Sequence, residues 1–409
     1  MSNKKVLHVT ANMNPVFGGV SEALRTIIAS LSGDEITNEV VSLDPPNAPY
    51  NEANLFESHC LGPGKGPWQY SRKLVPWLLQ NVSRYDVVII HGLWLFHGYA
   101  VRRVLNQLRD NQVNAAEGKP LPKVFIVPHG MLDPYFQLAR GRKLKAIRNL
   151  FYWKWVESRI VNEADAILFT AEQEKQLARS TFTPYFPKDE RVVGMSILEP
   201  PTYTSAMSDA FLEKCPASNG QQYFLFLSRL HEKKGLELLI RAYSEILSGR
   251  PNDMQLPKLV IAGPGLDTQF GKKMLQMAEE FHSHIYFTGM LSGDSKWGAF
   301  YGCDAFVLPT HQENFGIAIV EALACGKPVL ISDKTNIWKE IKDSGGGLVE
   351  DDTLSGTKKL LSRWLNLTAI EKEGFKQKSL EAYKNYFSID SVKKKWSSSI
   401  RDSEKYYLK

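Results

Sequence analysis

Residues 305–331 read AFVLPTHQENFGIAIVEALACGKPVLI. Ala305 to Pro309 is a short apolar run of the kind that forms a strand. From Ile317 to Ala324 every position but Glu321 is apolar, and Gly326 and Pro328 then stop a helix that starts near Gly316. A second apolar run, Pro328 to Ile331, follows at once. Strand, helix and strand in that order, with both strands apolar on both faces, is the repeating unit of a parallel sheet wound by right-handed crossovers.

The same alternation extends in both directions. Strand-like runs follow at Val6–Thr10, Glu39–Leu43, Asp86–Ile90, Lys123–Val127, Ala166–Thr170 and Arg191–Gly194, then at Tyr223–Leu227, Lys258–Ala262, Ile285–Thr288 and Gly346–Val349. Helical spacing separates them, as in Val20–Leu31 and Leu236–Leu247. Turn-forming residues crowd the middle of the chain near 198–222. The expected fold is therefore α/β, with two Rossmann-like doubly wound domains facing a cleft. The expected boundaries are 1–205, 206–385 and a closing helical segment, 386–409. In open sheets of this kind ligands gather at the carboxyl ends of the strands, so the loops after strands are where a site is sought.

The chain has 409 residues, 43% hydrophobic and 23% charged, an ordinary globular composition for which disorder is not the default reading. Its +6 net charge and pI near 8.9 suit anionic small ligands or an anionic membrane surface and are too weak to argue for nucleic acid. Cys60, Cys215, Cys303 and Cys325 are scattered and form neither a metal pattern nor a disulfide frame. The N-terminus runs almost directly into a strand with no signal-like apolar segment. These features lead to the expectation of a cytoplasmic protein.

After Tyr223–Leu227 comes a loop holding Arg229 and Lys234, then Gly235 and a helix. Two cations at one strand end can stabilise the charge that gathers on a departing diphosphate; a solvated basic loop is the competing reading. After Ala305–Pro309, Glu313 precedes the helix and can accept sugar hydroxyls. The backbone amides of Asn314, Phe315, Gly316 and Ile317 lie at the helix N-terminus, where phosphate or sugar oxygens bind. Glu321 can accept both hydroxyls of a ribose, or else face solvent. Gly263, Met290 and Leu291 sit in turns where backbone can approach a flat ligand.

In the first half, Gly18 and Gly19 open a helix and let amides approach phosphate, without the G-x-G-x-x-G pattern of dinucleotide binding; a purely structural turn is the competing reading. His129, in the run 128–134 (PHGMLDP), stands at a strand end where it can meet a donor sugar, or else serves only the turn. His91 and Trp94 occupy a similar place after an earlier strand, on the acceptor side with Asp133. Residues 140–159 carry seven basic residues against Glu157, interleaved with Phe151, Tyr152, Trp153 and Trp155. Leu144, Ile147, Phe151 and Trp155 keep helical spacing. The segment reads either as a surface for an anionic bilayer or as a packed helix with a solvated basic face.

Taken together these motifs make the chain resemble the retaining glycosyltransferases of family 4, with the GT-B fold, in the style of members that build bacterial surface polysaccharides. The resemblance rests on Arg229 and Lys234 followed by Glu313 and Glu321, with the Gly18-Gly19 loop and the run 128–134 in support. It implies a UDP- or GDP-sugar donor and a saccharide or lipid-linked saccharide acceptor. It implies that Arg229 and Lys234 bind the diphosphate, that Glu313 holds the transferred sugar and that Glu321 holds the ribose. Gly18 and Gly19 would close over the phosphates, His129 would lie beside the sugar, and backbone near Met290 would meet the base. It further implies no cofactor and no metal, in keeping with the lack of an Asp-x-Asp pattern, and a last helix crossing back to the first domain. A nucleotide-sugar epimerase on the same fold and a non-catalytic nucleotide-sugar binding protein are the alternatives. Peripheral attachment at the inner face of the cytoplasmic membrane follows if residues 140–159 meet lipid.

Overall fold

The computed structural model describes residues 3–15, 19–33, 35–51, 56–113, 120–139, 143–249 and 256–401. They form two compact units, Met1–Ser196 together with Ile389–Lys409, and Ile197–Ser388. Each is built on one all-parallel sheet.

The first unit holds seven strands: β1 Lys4–Val9, β2 Ile36–Ser42, β3 Glu57–Cys60, β4 Val87–His91, β5 Lys123–Val127, β6 Ala166–Phe169 and β7 Glu190–Val192. Their order is β3-β2-β1-β4-β5-β6-β7, so the direction of winding switches between β1 and β4. Because successive residues of a strand point to opposite faces, each strand feeds two cores. Leu7, Val9, Val88, Ile90 and Ile126 pack one face with Trp153, Ile160 and Phe169. Val6, Ile89, Phe125 and Val127 pack the other.

That second face is covered by two helices from opposite ends of the chain, Gly19–Leu31 and Ile389–Arg401. Val392, Trp396 and Ile400, spaced by four, place one stripe of the last helix into the core beside Ile27 and Leu31. The Trp396 indole N–H donates to the Gly194 carbonyl at 3.1 Å, and Arg191 donates to the Ser399 carbonyl at 3.0 Å. Burying a side chain as large as Trp396 contributes about 3 kcal/mol.

The second unit holds six strands: β8 Tyr223–Leu227, β9 Lys258–Ala262, β10 Ile285–Gly289, β11 Ala305–Leu308, β12 Val329–Ser332 and β13 Gly347–Glu350. The order is β10-β9-β8-β11-β12-β13, with the switch between β8 and β11. Phe224, Leu225, Phe226, Phe306, Val307, Leu330 and Ile331 are wholly buried. That is the environment in which apolar runs without polar alternation become central parallel strands. The helix Ile317–Ala324 begins after Gly316, which adopts φ +76°, a left-handed conformation open to glycine.

Candidate active site

In the second unit the loops after β8 and β11, the two strands flanking the switch, are laced together. Thr310 Oγ1 donates to the Lys233 carbonyl at 2.9 Å, and the His311 amide donates to the same carbonyl at 2.8 Å. Gly235 turns at φ +68° directly against Pro309, where a Cβ would fall 1.9 Å from the Pro309 oxygen. Only glycine permits that approach, and the approach brings Lys234 to Glu313, whose side chains form an ion pair. The Glu313 backbone is pinned in turn: its amide donates to the Lys334 carbonyl and its carbonyl accepts from Asn336, both at 2.9 Å. Burial pushes the Glu313 carboxyl up. The charges of Lys234 and Lys233, and the Asn314 amide, outweigh it and hold the group below the usual carboxylate range.

Arg229 stands exposed in the β8 loop and makes no ion pair among the described residues. Beside it the loops after β9 and β10 close up. Ser228 N donates to the Ala262 carbonyl at 3.0 Å, Leu230 N to Pro264 at 2.9 Å, and Gly263 N to Gly289 at 2.8 Å. Gly263 leaves no room for a side chain against the Ser228 carbonyl. Met290 is 70% exposed next to this cluster, whereas Leu291 is buried.

Asn314 takes a 3.0 Å hydrogen bond from the Asn336 side chain on its Oδ1. Phe315 is buried edge-on against Phe387. The Gly316 and Ile317 amides open the helix, where first-turn N–H groups have no partner within it. Glu321, on the next turn, is buried. Its Oε1 is 2.6 Å from Lys296 Nζ on the helix Gly293–Gly302. Sequence reading missed Lys296; its signal, a lysine in the run SGDSKWG, gains meaning only once the two helices pack.

In the first unit, Gly18 lies outside the described residues, and Gly19 opens its helix with free space about it. His129 and Trp94 adopt φ +51° and +72°, conformations rare for side chains of that size and concentrated at functional sites. The His129 turn is held by the buried Glu174. Its Oε1 accepts from the Gly130 amide at 2.6 Å, while its Oε2 accepts from the Thr170 amide and hydroxyl. Trp94 packs on Trp153 and Phe182, and its amide reaches the buried carboxyl of Glu157. Asp133 is buried and receives the Tyr135 amide at 2.8 Å, so it shapes the turn. His91 is 1% exposed, and its Nδ1 lies 3.1 Å from Nε2 of His129.

The described side chains with metal-ligand chemistry converge in one place, Glu39, Glu57 and His59 on β2 and β3. Glu39 there already accepts from Tyr85 at 2.6 Å and from His59 at 2.9 Å.

The basic segment forms a helix from Lys143 to Tyr152, a π-helical turn Trp153–Glu157 and a helix Ser158–Glu163. Its polarity is inverted in part. Asn149 and Glu157 are buried, while Leu144, Ile147, Leu150, Phe151 and Trp155 are all more than half exposed. Lys143, Lys145, Arg148, Lys154 and Arg159 are exposed around them. Leu138 and Phe186 are also exposed. Trp153, Ile160 and Val161 are buried on the other side, so the segment is a packed helix with a solvated basic face that also carries an exposed apolar stripe. Arg140 and Arg142 lie outside the described residues.

Two parallel-sheet units with this strand order, and a last helix seated on the first, are those of GT-B glycosyltransferases. Sucrose-phosphate synthase from Thermosynechococcus elongatus superposes with a TM-score of 0.70 at 18% identity, covering 98% of this chain and 100% of that one. HepE from Anabaena, solved with UDP and glucose, does so with a TM-score of 0.70 at 14% identity, over 97% and 99%. The glycosyl transferase 4-like domain model matches residues 18–193, and the glycosyl transferases group 1 model matches residues 208–378. The chain belongs to this glycosyltransferase family.

An uncharacterized glycosyltransferase of Methanocaldococcus jannaschii is 31% identical over 38% of this chain and 39% of its own length. The O-antigen chain mannosyltransferase C of Escherichia coli is 25% identical over 42% and 44%. The lipopolysaccharide 1,2-N-acetylglucosaminetransferase of Salmonella typhimurium is 28% identical over 35% and 38%. The matches thus span less than half the length of these curated relatives.

Proposed function

We propose that the protein is a retaining, metal-independent glycosyltransferase. It moves a hexose from a UDP- or GDP-sugar to a saccharide or lipid-linked saccharide acceptor in polysaccharide synthesis. The observation that carries this reading is the Lys234–Glu313 pair at the switch between β8 and β11. An ammonium fit for a leaving diphosphate stands there beside a carboxylate fit for sugar hydroxyls.

As the sugar–phosphate bond breaks, negative charge gathers on the diphosphate. Lys234, the exposed Arg229 and the amides of Asn314 to Ile317 form a fixed positive set that favours that state over the bound donor. Glu313, kept ionised, accepts from the sugar. Glu321 accepts from the ribose, with Lys296 holding its carboxylate in place. The acceptor hydroxyl attacks from the face the leaving group vacates, and the departing phosphate takes its proton, so retention needs no side-chain nucleophile. HepE's complex with UDP-glucose supports a uridine donor.

The test is product analysis over a panel of UDP- and GDP-sugars, with and without saccharide acceptors. Acceptor-dependent release of nucleoside diphosphate is expected. Release with a rearranged free sugar from donor alone would instead indicate an epimerase, and tight donor binding without turnover a binding protein. EDTA is expected to leave the rate unchanged; loss restored only by a divalent ion would contradict the metal-free reading.

The exposed apolar stripe of residues 144–155 supports a second element of the reading, attachment to the cytoplasmic face of a membrane. An exposed apolar stripe ringed by five cations complements an anionic bilayer, with lipid tails for the stripe and headgroups for the lysines and arginines. No helix among the described residues is long and apolar enough to cross a membrane, so the contact is interfacial.

A further inference from the structure

Four polar side chains cross the first unit's sheet on one face, within a core that is otherwise apolar. Asn38 of β2, His8 of β1, His91 of β4 and His129 after β5 form a continuous hydrogen-bonded chain. Asn38 Oδ1 is 3.0 Å from His8 Nε2, His8 Nδ1 is 2.9 Å from His91 Nε2, and His91 Nδ1 is 3.1 Å from His129 Nε2. The path is diagonal. In register His8 lies opposite Val40 and Ile89, so each step moves two residues toward the carboxyl ends of the strands. His97 fixes the middle of the chain by approaching the His91 carbonyl with Nε2 at 3.0 Å. Asn38, His8 and His91 are buried, and their path opens outward at His129.

Burial holds the His8 and His129 rings at pKa values of about 4 and pushes His91 well below its usual value, so at neutral pH each ring has one N–H and one lone pair. A carbonyl oxygen only accepts. With Asn38 Oδ1 toward His8, Nε2 of His8 must donate and its Nδ1 must accept from His91 Nε2. His91 Nδ1 then accepts from His129 Nε2. The proton on every ring is on Nε2, and His129 is left with a lone pair on Nδ1, which takes no hydrogen bond among the described residues.

We propose that Asn38, His8 and His91 are positioning residues that fix His129 as its Nε2–H tautomer, so that the ligand group it meets at Nδ1 is a hydroxyl donor of the sugar and not a phosphate oxygen. The tautomer follows from this unit alone; the identity of the hydroxyl rests on the glycosyltransferase reading. A neutral imidazole lone pair accepts from a hydroxyl and repels a phosphate oxygen, which offers only lone pairs. Asn38 therefore selects, from three rings away, which part of a sugar nucleotide His129 can face.

The test is long-range 1H–15N correlation NMR on the full chain labelled in histidine nitrogen. The expected pattern for His129 is a downfield, unprotonated Nδ1 and an upfield, protonated Nε2. The reverse pattern, or averaged shifts, overturns the proposal. Asn38→Asp keeps an oxygen acceptor and should keep the pattern; Asn38→Leu removes the acceptor and should average the His129 shifts. A fixed tautomer in a folded Asn38→Leu protein would show that the chain does not set it. Addition of UDP-glucose or GDP-mannose should move the His129 Nδ1 signal, and UDP or GDP alone should not. An equal shift with the bare nucleotide overturns the hydroxyl assignment. If calorimetry shows that no sugar nucleotide binds, the glycosyltransferase reading fails and the hydroxyl assignment with it, while the tautomer is still decided by the ligand-free spectrum.

Discussion

Lys296 Nζ lies 2.6 Å from Glu321 Oε1, on a helix 25 residues upstream of the carboxylate it holds. Glu321 has an oriented side chain before any ligand arrives. If it receives the ribose hydroxyls, its loss weakens ground state and transition state alike. Glu321→Ala should therefore raise the donor KM by about tenfold or more and leave kcat within about threefold. Lys296→Met should raise KM in the same direction by less, and the double variant should cost less than the sum. Steady-state kinetics on the four proteins measure this; independent effects would show that Lys296 does not act through Glu321.

Lys234 and Glu313 are predicted to separate stability from activity. Removing one partner strands a largely buried charge, at a cost of about 3–5 kcal/mol. Lys234→Met should lower the denaturation midpoint, and Lys234→Met with Glu313→Leu should recover most of it. Neither protein should transfer sugar at more than about a hundredth of the native rate. Because the folded Glu313 carboxyl is held low, its contribution is complete above the unfolded pKa and disappears as pH falls through the folded one. Urea titrations from pH 7 to pH 3 should show that loss in the native protein and not in the double variant.

At the outward stripe, Phe151→Ser with Trp155→Ser removes two exposed rings without touching the core. Binding to vesicles containing phosphatidylglycerol should fall by about a hundredfold, from roughly 2–3 kcal/mol of apolar burial. Turnover on a soluble acceptor should stay the same. Flotation with anionic and neutral vesicles measures it, and unchanged binding by the double variant would retire the membrane surface.

Glu157 gives a pH signature of opposite sign. Its carboxyl is pushed up to about 8 by burial against the pull of the Trp94 amide, and its Oε2 has no partner among the described residues. As pH rises from about 5 to 7 the unfolded chain releases this proton and the native chain keeps it. Native stability therefore falls by about 3 kcal/mol over that range. Glu157→Gln should remove this part of the pH dependence and be the more stable protein at pH 8. Parallel slopes for the two in urea denaturation from pH 5 to 8 would show that Glu157 is not the source.

The sequence made the central strands legible because buried parallel strands are apolar at every position; Tyr223–Leu227 and Lys258–Ala262 fall where expected. The edge strand β3, Glu57–Cys60, was invisible, because ESHC has neither an apolar run nor a clean alternation and pairs on one side only. In the site, residues joined by one loop were readable: Arg229 with Lys234, Glu313 with the helix start. Contacts made by packing were not. Lys296 finds Glu321 only when two helices meet, and His8 reads as one polar residue in an apolar strand until β1, β4 and β5 align. The segment 143–163 could be recognised as helical with an apolar stripe, but which side turned outward depended on its burying Asn149 and Glu157 together with Trp153, Ile160 and Val161.

The helix Ile389–Arg401 supplies Val392, Trp396 and Ile400 to a core whose other members lie before residue 194. On the ribosome, the first unit emerges long before that tryptophan is made. Val6, Ile89 and Phe125 must stay without part of their cover while the whole second unit is synthesised and folds. Translation thus completes the later-made unit first, and the nascent chain carries an open apolar seat that only codons 389–401 can fill.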